Sequence, residues 1–211
     1  MILDDTHGYI TIHEGAYIED TAVIIGPCEI QYDCYIGHCA TVGAPPQYHG
    51  VFPSPVTAER RAKGVVVCAR TTVREFCQIH QGIVDVTMIG QDVLLMAGCH
   101  IAHDCELGTG VTAGSFLVLG GFTMIGAHVT FGQGCVTHPW CVIGEGAMVG
   151  LNSSVLRDVE PYAKVAGAPA RSLGQNTKRL ADTILSSDVW DAHAVMCATR
   201  DDRKAAWYAH A

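Results

Sequence analysis

No run of about 18 apolar residues passes without a charge or a glycine, so the signature of a membrane-spanning helix is missing. The N-terminal stretch MILDDTHGYITIHEG has no basic segment leading into an apolar one, and the chain therefore reads as soluble, unexported and cytoplasmic. Basic residues are scarce. Thirteen Lys and Arg against 21 Asp and Glu leave a net charge of -8, which argues against nucleic acid and anionic membrane surfaces as partners. Paired CxxC units are also absent despite ten cysteines, so a disulfide framework is not expected in a chain of this size. At 211 residues the chain suits one large domain with at most a small appendage.

What the sequence does have is a period of six. Aliphatic residues recur at Ile12, Ile18, Ile24, Ile30, Ile36 and Val42, return at Val67, Val73 and Ile79, and continue from Ile89 through Ile101, Leu119 and Thr137 to Val155. The residue after the lead position is often glycine, and the fifth position of each hexad is small or β-branched. Period six fits neither a 3.6-residue helix nor strictly alternating hairpin strands. It fits an all-β, three-sided solenoid in which each hexad is one short strand, three hexads close a coil of about 18 residues, and roughly seven coils stack at strand spacing. Cys28, Cys34, Cys77, Cys99, Cys105 and Cys135 fall on the fifth position and Cys141 joins them, which makes them small core fillers.

The expected organisation is a solenoid over 1–174 with an inserted Pro-rich loop at 44–66, followed by a helical extension over 175–211. A second insertion, of four residues, follows Ile79. After about Asp158 the segment VEPYAKVAGAPARSLG reads as extended chain closing the rod. The tail is expected to form two or three short helices that cover the open end and touch a neighbouring subunit, with Ser187 as an N-cap.

Eleven histidines carry information only if they converge. Hexads 18 residues apart stack on one face, so those led by Ile101, Leu119 and Thr137 form a column, joined by Ile79 if the four-residue insertion is a corner bulge. His80, His103, Gly121 and His138 then line up, with His100 at the corner before. An outward histidine on a lone prism is ordinarily a solvated residue. In such a column, a neutral imidazole can instead take the proton from a hydroxyl attacking a thioester, and the main-chain N–H groups of Gly120 and Gly121 could hold the oxyanion. Adjacent strand residues point to opposite faces, so the spacing leaves open whether Asp104 reaches His103.

The strings LLMAGCHIAHDC, VGAPPQ, VREFCQIHQG, VTHPWCVIG and VAGAPARSLGQN resemble the UDP-N-acetylglucosamine O-acyltransferases of lipid A synthesis (LpxA) over about residues 10 to 180. The resemblance implies a left-handed parallel β-helix, against the usual right-handed crossover rule, and a homotrimer with active sites between subunits. It implies His103 as general base, Asp104 as its partner and Gly121 as the oxyanion amide. Gln47, His80, His100 and His138 would lie near the sugar nucleotide or phosphopantetheine, and Asn176 with Arg179 near the nucleotide or its phosphates. Leu151 stands where the family has a glycine that measures acyl-chain length, and the bulkier side chain implies a shorter chain. No permanent cofactor and no metal are implied, with acyl carrier protein or acyl-CoA as the donor's carrier.

Departures keep the acceptor open. Tyr48, His49 and Gly50 follow Gln47 where the family has Asp and then Lys, so Arg60, Arg61 or Lys63 would have to supply a diphosphate cation. Phe122 replaces a sugar-contacting His, and Pro139 a Gln. Alternatives are an acyl-CoA-dependent O- or N-acyltransferase on another nucleotide amino sugar, a zinc carbonic anhydrase of the same prism class, whose histidine spacing this chain does not match, and a non-enzymatic scaffold.

Overall fold

In the computed structural model, residues 1–5, 8–47, 62–178 and 188–210 are described. Their short strands wind into a three-faced parallel solenoid. The first face stacks Ile2–Asp4, Val23–Ile25, Thr41–Ala44, Gln78–His80, His100–Ile101, Val118–Leu119, Val136–Thr137 and Ser154–Val155. The second runs from Ile10–Ile12 to Val142–Ile143, and the third from Tyr17–Ile18 to Ala163–Ala166. The rod has one level more than the hexads alone suggest, because Ile2–Asp4 adds a strand before the first clear repeat and Ala163–Ala166 adds one after the last. Arg171–Gln175 then folds back antiparallel on Ala163–Ala166 and closes the third face, in the segment expected to be extended.

The period works because the lead residues from Ile24 onward point inward. Ile24, Ile30, Ile36, Val67, Ile79, Ile89, Leu95, Ile101 and Leu119 are completely buried, and burying one such side chain contributes roughly 1.5–3 kcal/mol. The seven fifth-position and neighbouring cysteines named above are all buried and free. Several thiols donate to a carbonyl one coil on, such as Cys105 Sγ to Gly120 O at 3.2 Å and Cys135 Sγ to Gly150 O at 2.9 Å. Burial pushes the Cys28 and Cys105 thiols up to about 12, so neither is a nucleophile near neutral pH.

Glycines turn some corners, such as Gly98, Gly110, Gly134 and Gly146 with φ of 72°, 70°, 70° and 65°, but not all of them. At the edge between first and second faces the turning residues are Asp104, Phe122 and Trp140, with φ of 59°, 61° and 70°. The glycines after the lead positions serve close stacking instead. A Cβ on Gly120 would meet Pro139 N at 2.6 Å, one coil away.

The C-terminal region also differs from expectation. Residues 177–178 are helical, and the 23-residue helix Asp188–His210 lies along the second face rather than over the open end. Met124 and Val142, which point outward from that face, are 4% and 0% exposed. Arg200 donates to both carboxylate oxygens of Asp158 at 2.8 Å and to Trp140 O at 3.2 Å, and Arg203 pairs with Asp85 and Glu106. These are charge-assisted bonds that fix the helix against one edge of the rod. Ser187 lies outside the described residues. No helix of the described residues is long and apolar enough to cross a membrane.

Candidate active site

Strand register brings the expected column together. Ile79 pairs with Ile101, Ile101 with Leu119 and Leu119 with Thr137. The four extra residues after Ile79 bulge at the corner, and the strand on the next face resumes at Thr87.

That bulge builds the centre of the site. Asp104 is 1% exposed, and a carboxylate so placed needs donors on both oxygens. Oδ1 accepts from Val84 N at 2.8 Å and Asp85 N at 2.7 Å, and Oδ2 accepts from Ile83 N at 3.0 Å. The backbone N–H of Asp104 itself donates to Thr87 Oγ1 at 2.8 Å. With its backbone fixed in the left-handed region, Asp104 turns its side chain back toward the preceding residue, and His103 Nδ1 lies 2.7 Å from Asp104 Oδ2. An ionised carboxylate only accepts, so the imidazole carries its proton on Nδ1 and leaves Nε2 with a lone pair.

The ring lies over the next coil. A Cβ on Gly121 would fall 2.7 Å from His103 Cε1 and 2.8 Å from Nε2, so only glycine leaves room for the imidazole there. Gly120 N already donates to Thr137 O and Thr137 Oγ1, both at 3.2 Å, which removes it as an oxyanion donor. Gly121 N makes no hydrogen bond to the described residues.

His80 is 4% exposed and donates from Nδ1 to Pro45 O at 2.7 Å, at the start of the long loop. Its Nε2 is buried without a partner among the described residues. His100 stands 4.7 Å away, ring centre to ring centre. Burial, and secondarily the neighbouring His80, lowers His100 to about 4. His80 is also lowered, chiefly by burial. Both rings are therefore neutral near pH 7. His138 is exposed two coils beyond His100, its Nδ1 3.0 Å from Pro139 O. Gln47 is exposed where the chain leaves the same edge.

Other expected residues are not gathered here. Asn176 Nδ2 donates to Gly146 O at 2.9 Å, at the corner between second and third faces. Leu151 follows a third-face strand and is 66% exposed, on the edge between third and first faces. Within one chain neither shares an edge with His103. Tyr48, His49, Gly50, Arg60, Arg61 and Arg179 lie outside the described residues. Among the described residues no three His, Cys, Asp or Glu side chains converge as metal ligands.

Sequence reasoning missed an aromatic cluster beside the imidazole. Phe122 and Trp140 stack at 3.8 Å with planes 2° apart, and Phe122 meets His103 edge-on at 5.1 Å. Trp207 of the C-terminal helix lies 5.2 Å from Phe122 and 6.4 Å from His103. The signal available was a pair of aromatics 18 residues apart, each at the turning position of its coil.

No family model matches the chain. Among curated proteins it is 36% identical over 131 residues to the acyl-[acyl-carrier-protein]–UDP-N-acetylglucosamine O-acyltransferase of Anaeromyxobacter dehalogenans, covering 61% of this chain and 51% of that one. To the enzyme of the same name from Paraburkholderia phymatum it is 34% identical over 163 residues, covering 76% and 60%. The chain thus spans little more than half the length of these relatives. The solved LpxA of Acinetobacter baumannii superposes with a TM-score of 0.77 at 26% identity, over 92% of this chain and 77% of that one. Hexad register, stacked coils and this superposition agree: the chain has the hexapeptide-repeat, left-handed β-helix fold of LpxA and is similar in sequence to these acyltransferases over much of its length.

Proposed function

We propose that the chain moves an acyl group, of the 3-hydroxyacyl kind, from acyl carrier protein to a sugar hydroxyl of UDP-N-acetylglucosamine or a close nucleotide sugar. The observation that carries this reading is His103, held by Asp104 in the Nδ1–H form with Nε2 over the Gly121 backbone. His103 Nε2 takes the acceptor hydroxyl proton while that oxygen attacks the thioester carbonyl. Gly121 N–H holds the resulting oxyanion. Collapse breaks the carbon–sulfur bond, and the imidazolium returns its proton to the leaving thiolate. Asp104 stabilises the imidazolium in between without taking the proton.

The working unit is a cytoplasmic homotrimer, with a solenoid over 1–174 and a C-terminal extension over 175–211. Phe76, Phe116, Val118 and Val136 expose apolar surface along and beside the first face, at 64%, 66%, 40% and 38%. Apolar surface concentrated in this way favours burial against another subunit. A trimer would also bring a neighbour's Leu151 or Asn176 toward His103. A second reading, acyl-CoA-dependent O- or N-acylation of another nucleotide amino sugar, is favoured by the buried Phe122–Trp140 stack beside the imidazole. A donor-by-acceptor panel, with carrier-protein and CoA thioesters against nucleotide sugars and mass-spectrometric readout, separates the two. Transfer by His103→Ala at the wild-type rate would reject both.

A further inference from the structure

The helix Asp188–His210 lies outside the repeat, yet its last turns reach the imidazole. Two arginines hold it there. Arg203 bridges Asp85 and Glu106, and Asp85 belongs to the same bulge whose amides hold Asp104. One turn further on, Trp207 packs against both Phe122 and His103. Phe122 is 3% exposed and backed by Trp140, so its ring is fixed from both sides. The aromatic surface beside the imidazole is thus the Trp207 indole, with the Phe122 ring behind it.

We infer that Trp207 and Phe122 form a specificity wall that selects an acceptor sugar with a deoxygenated edge, a methylene or methyl group, beside the hydroxyl that is acylated. The inference rests on the acyl-transfer reading for the position of the reacting hydroxyl. A sugar hydroxyl seated against these rings would leave water without a replacement hydrogen bond, whereas a methyl group would fill the same space and keep dispersion contact. Penalties of this kind correspond to discrimination of about tenfold to a hundredfold.

The test uses the full chain, with UDP-N-acetylglucosamine and its 4-deoxy and 6-deoxy analogues as probes. Binding is measured by calorimetry and kcat/KM by mass spectrometry, for the wild type and for Trp207→Ala, whose side chain sits on the outer helix and not in the solenoid core. The expected result is at least one deoxy analogue preferred about tenfold or more by the wild type, with the preference falling severalfold in Trp207→Ala. Equal or better use of the parent sugar by the wild type overturns the wall, as does a preference unchanged in the variant. Tighter deoxy binding without turnover of any probe, lost in Trp207→Ala, upholds the wall and rejects acyl transfer. Failure of all three sugars to bind rejects both.

Discussion

His103 Nδ1 stands 2.7 Å from Asp104 Oδ2, although the two residues are adjacent in sequence and Asp104 is buried. In a regular strand such neighbours point apart. Here Asp104 is the corner residue at φ 59°, and three amides of the bulge receive its carboxylate. One side chain therefore anchors the insertion and selects the imidazole tautomer.

Asp104→Asn should separate these duties. An amide nitrogen would face N–H donors where an oxygen accepted, leaving one buried donor unsatisfied at a cost of about 1–3 kcal/mol. The imidazole would be drawn toward the Nε2–H tautomer. Turnover is expected to fall at least about a hundredfold, with a lower denaturation midpoint. Nitrogen NMR of His103 reads the tautomer, and a wild-type spectrum with wild-type turnover would refute the assignment.

Gly121→Ala tests closeness rather than charge. The added Cβ would meet His103 Cε1 at 2.7 Å, so the ring has to swing away. Misplacement by about 1 Å can cost on the order of a hundredfold in rate. A loss of kcat with little change in melting temperature is expected, and a variant as fast as wild type would show that the imidazole does not work in this orientation.

The repeat was legible because its signal is local: a lead residue every sixth position has to be inside, and strand register follows from that alone. The histidine column was legible for the same reason, once the residues after Ile79 were read as a bulge. The pairing of His103 with Asp104 was not, since it depends on a left-handed corner and on amides supplied some 20 residues earlier. The helix Asp188–His210 lies along the rod and not over its end because its placement is decided by distant partners, Arg200 with Asp158 and Arg203 with Asp85 and Glu106. Nothing in the local pattern of residues 188–210 encodes those partners.

Leu151→Gly should move donor preference toward longer acyl chains. Leu151 is exposed on an edge remote from its own chain's His103, so the effect requires the side chain to project into a neighbour's site. Competition between donors of graded length reads the shift. An unchanged length profile would remove Leu151 as the measuring residue.

Acid should weaken the fold partly through His100. Its value near 4 lies below the ordinary 6.5, so the unfolded chain binds the proton more readily. This contribution is fully present above about pH 6.5 and is lost as pH falls from there toward 4. His100→Gln should show a smaller drop in melting temperature across that window than the wild type. An identical slope would mean that the ring is not held neutral.

His103 and Gly121 are separated by one full lap of the chain, 18 residues, and their vertical gap is a single strand spacing of about 4.8 Å. On the proposed reading this makes the reaction centre a length standard written into the backbone. Whole laps added near either terminus would lengthen the rod and leave the His103–Gly121 spacing intact, whereas one lap inserted between Asp104 and Gly120 would double the gap and part the proposed base from the proposed oxyanion donor in a protein that still folds.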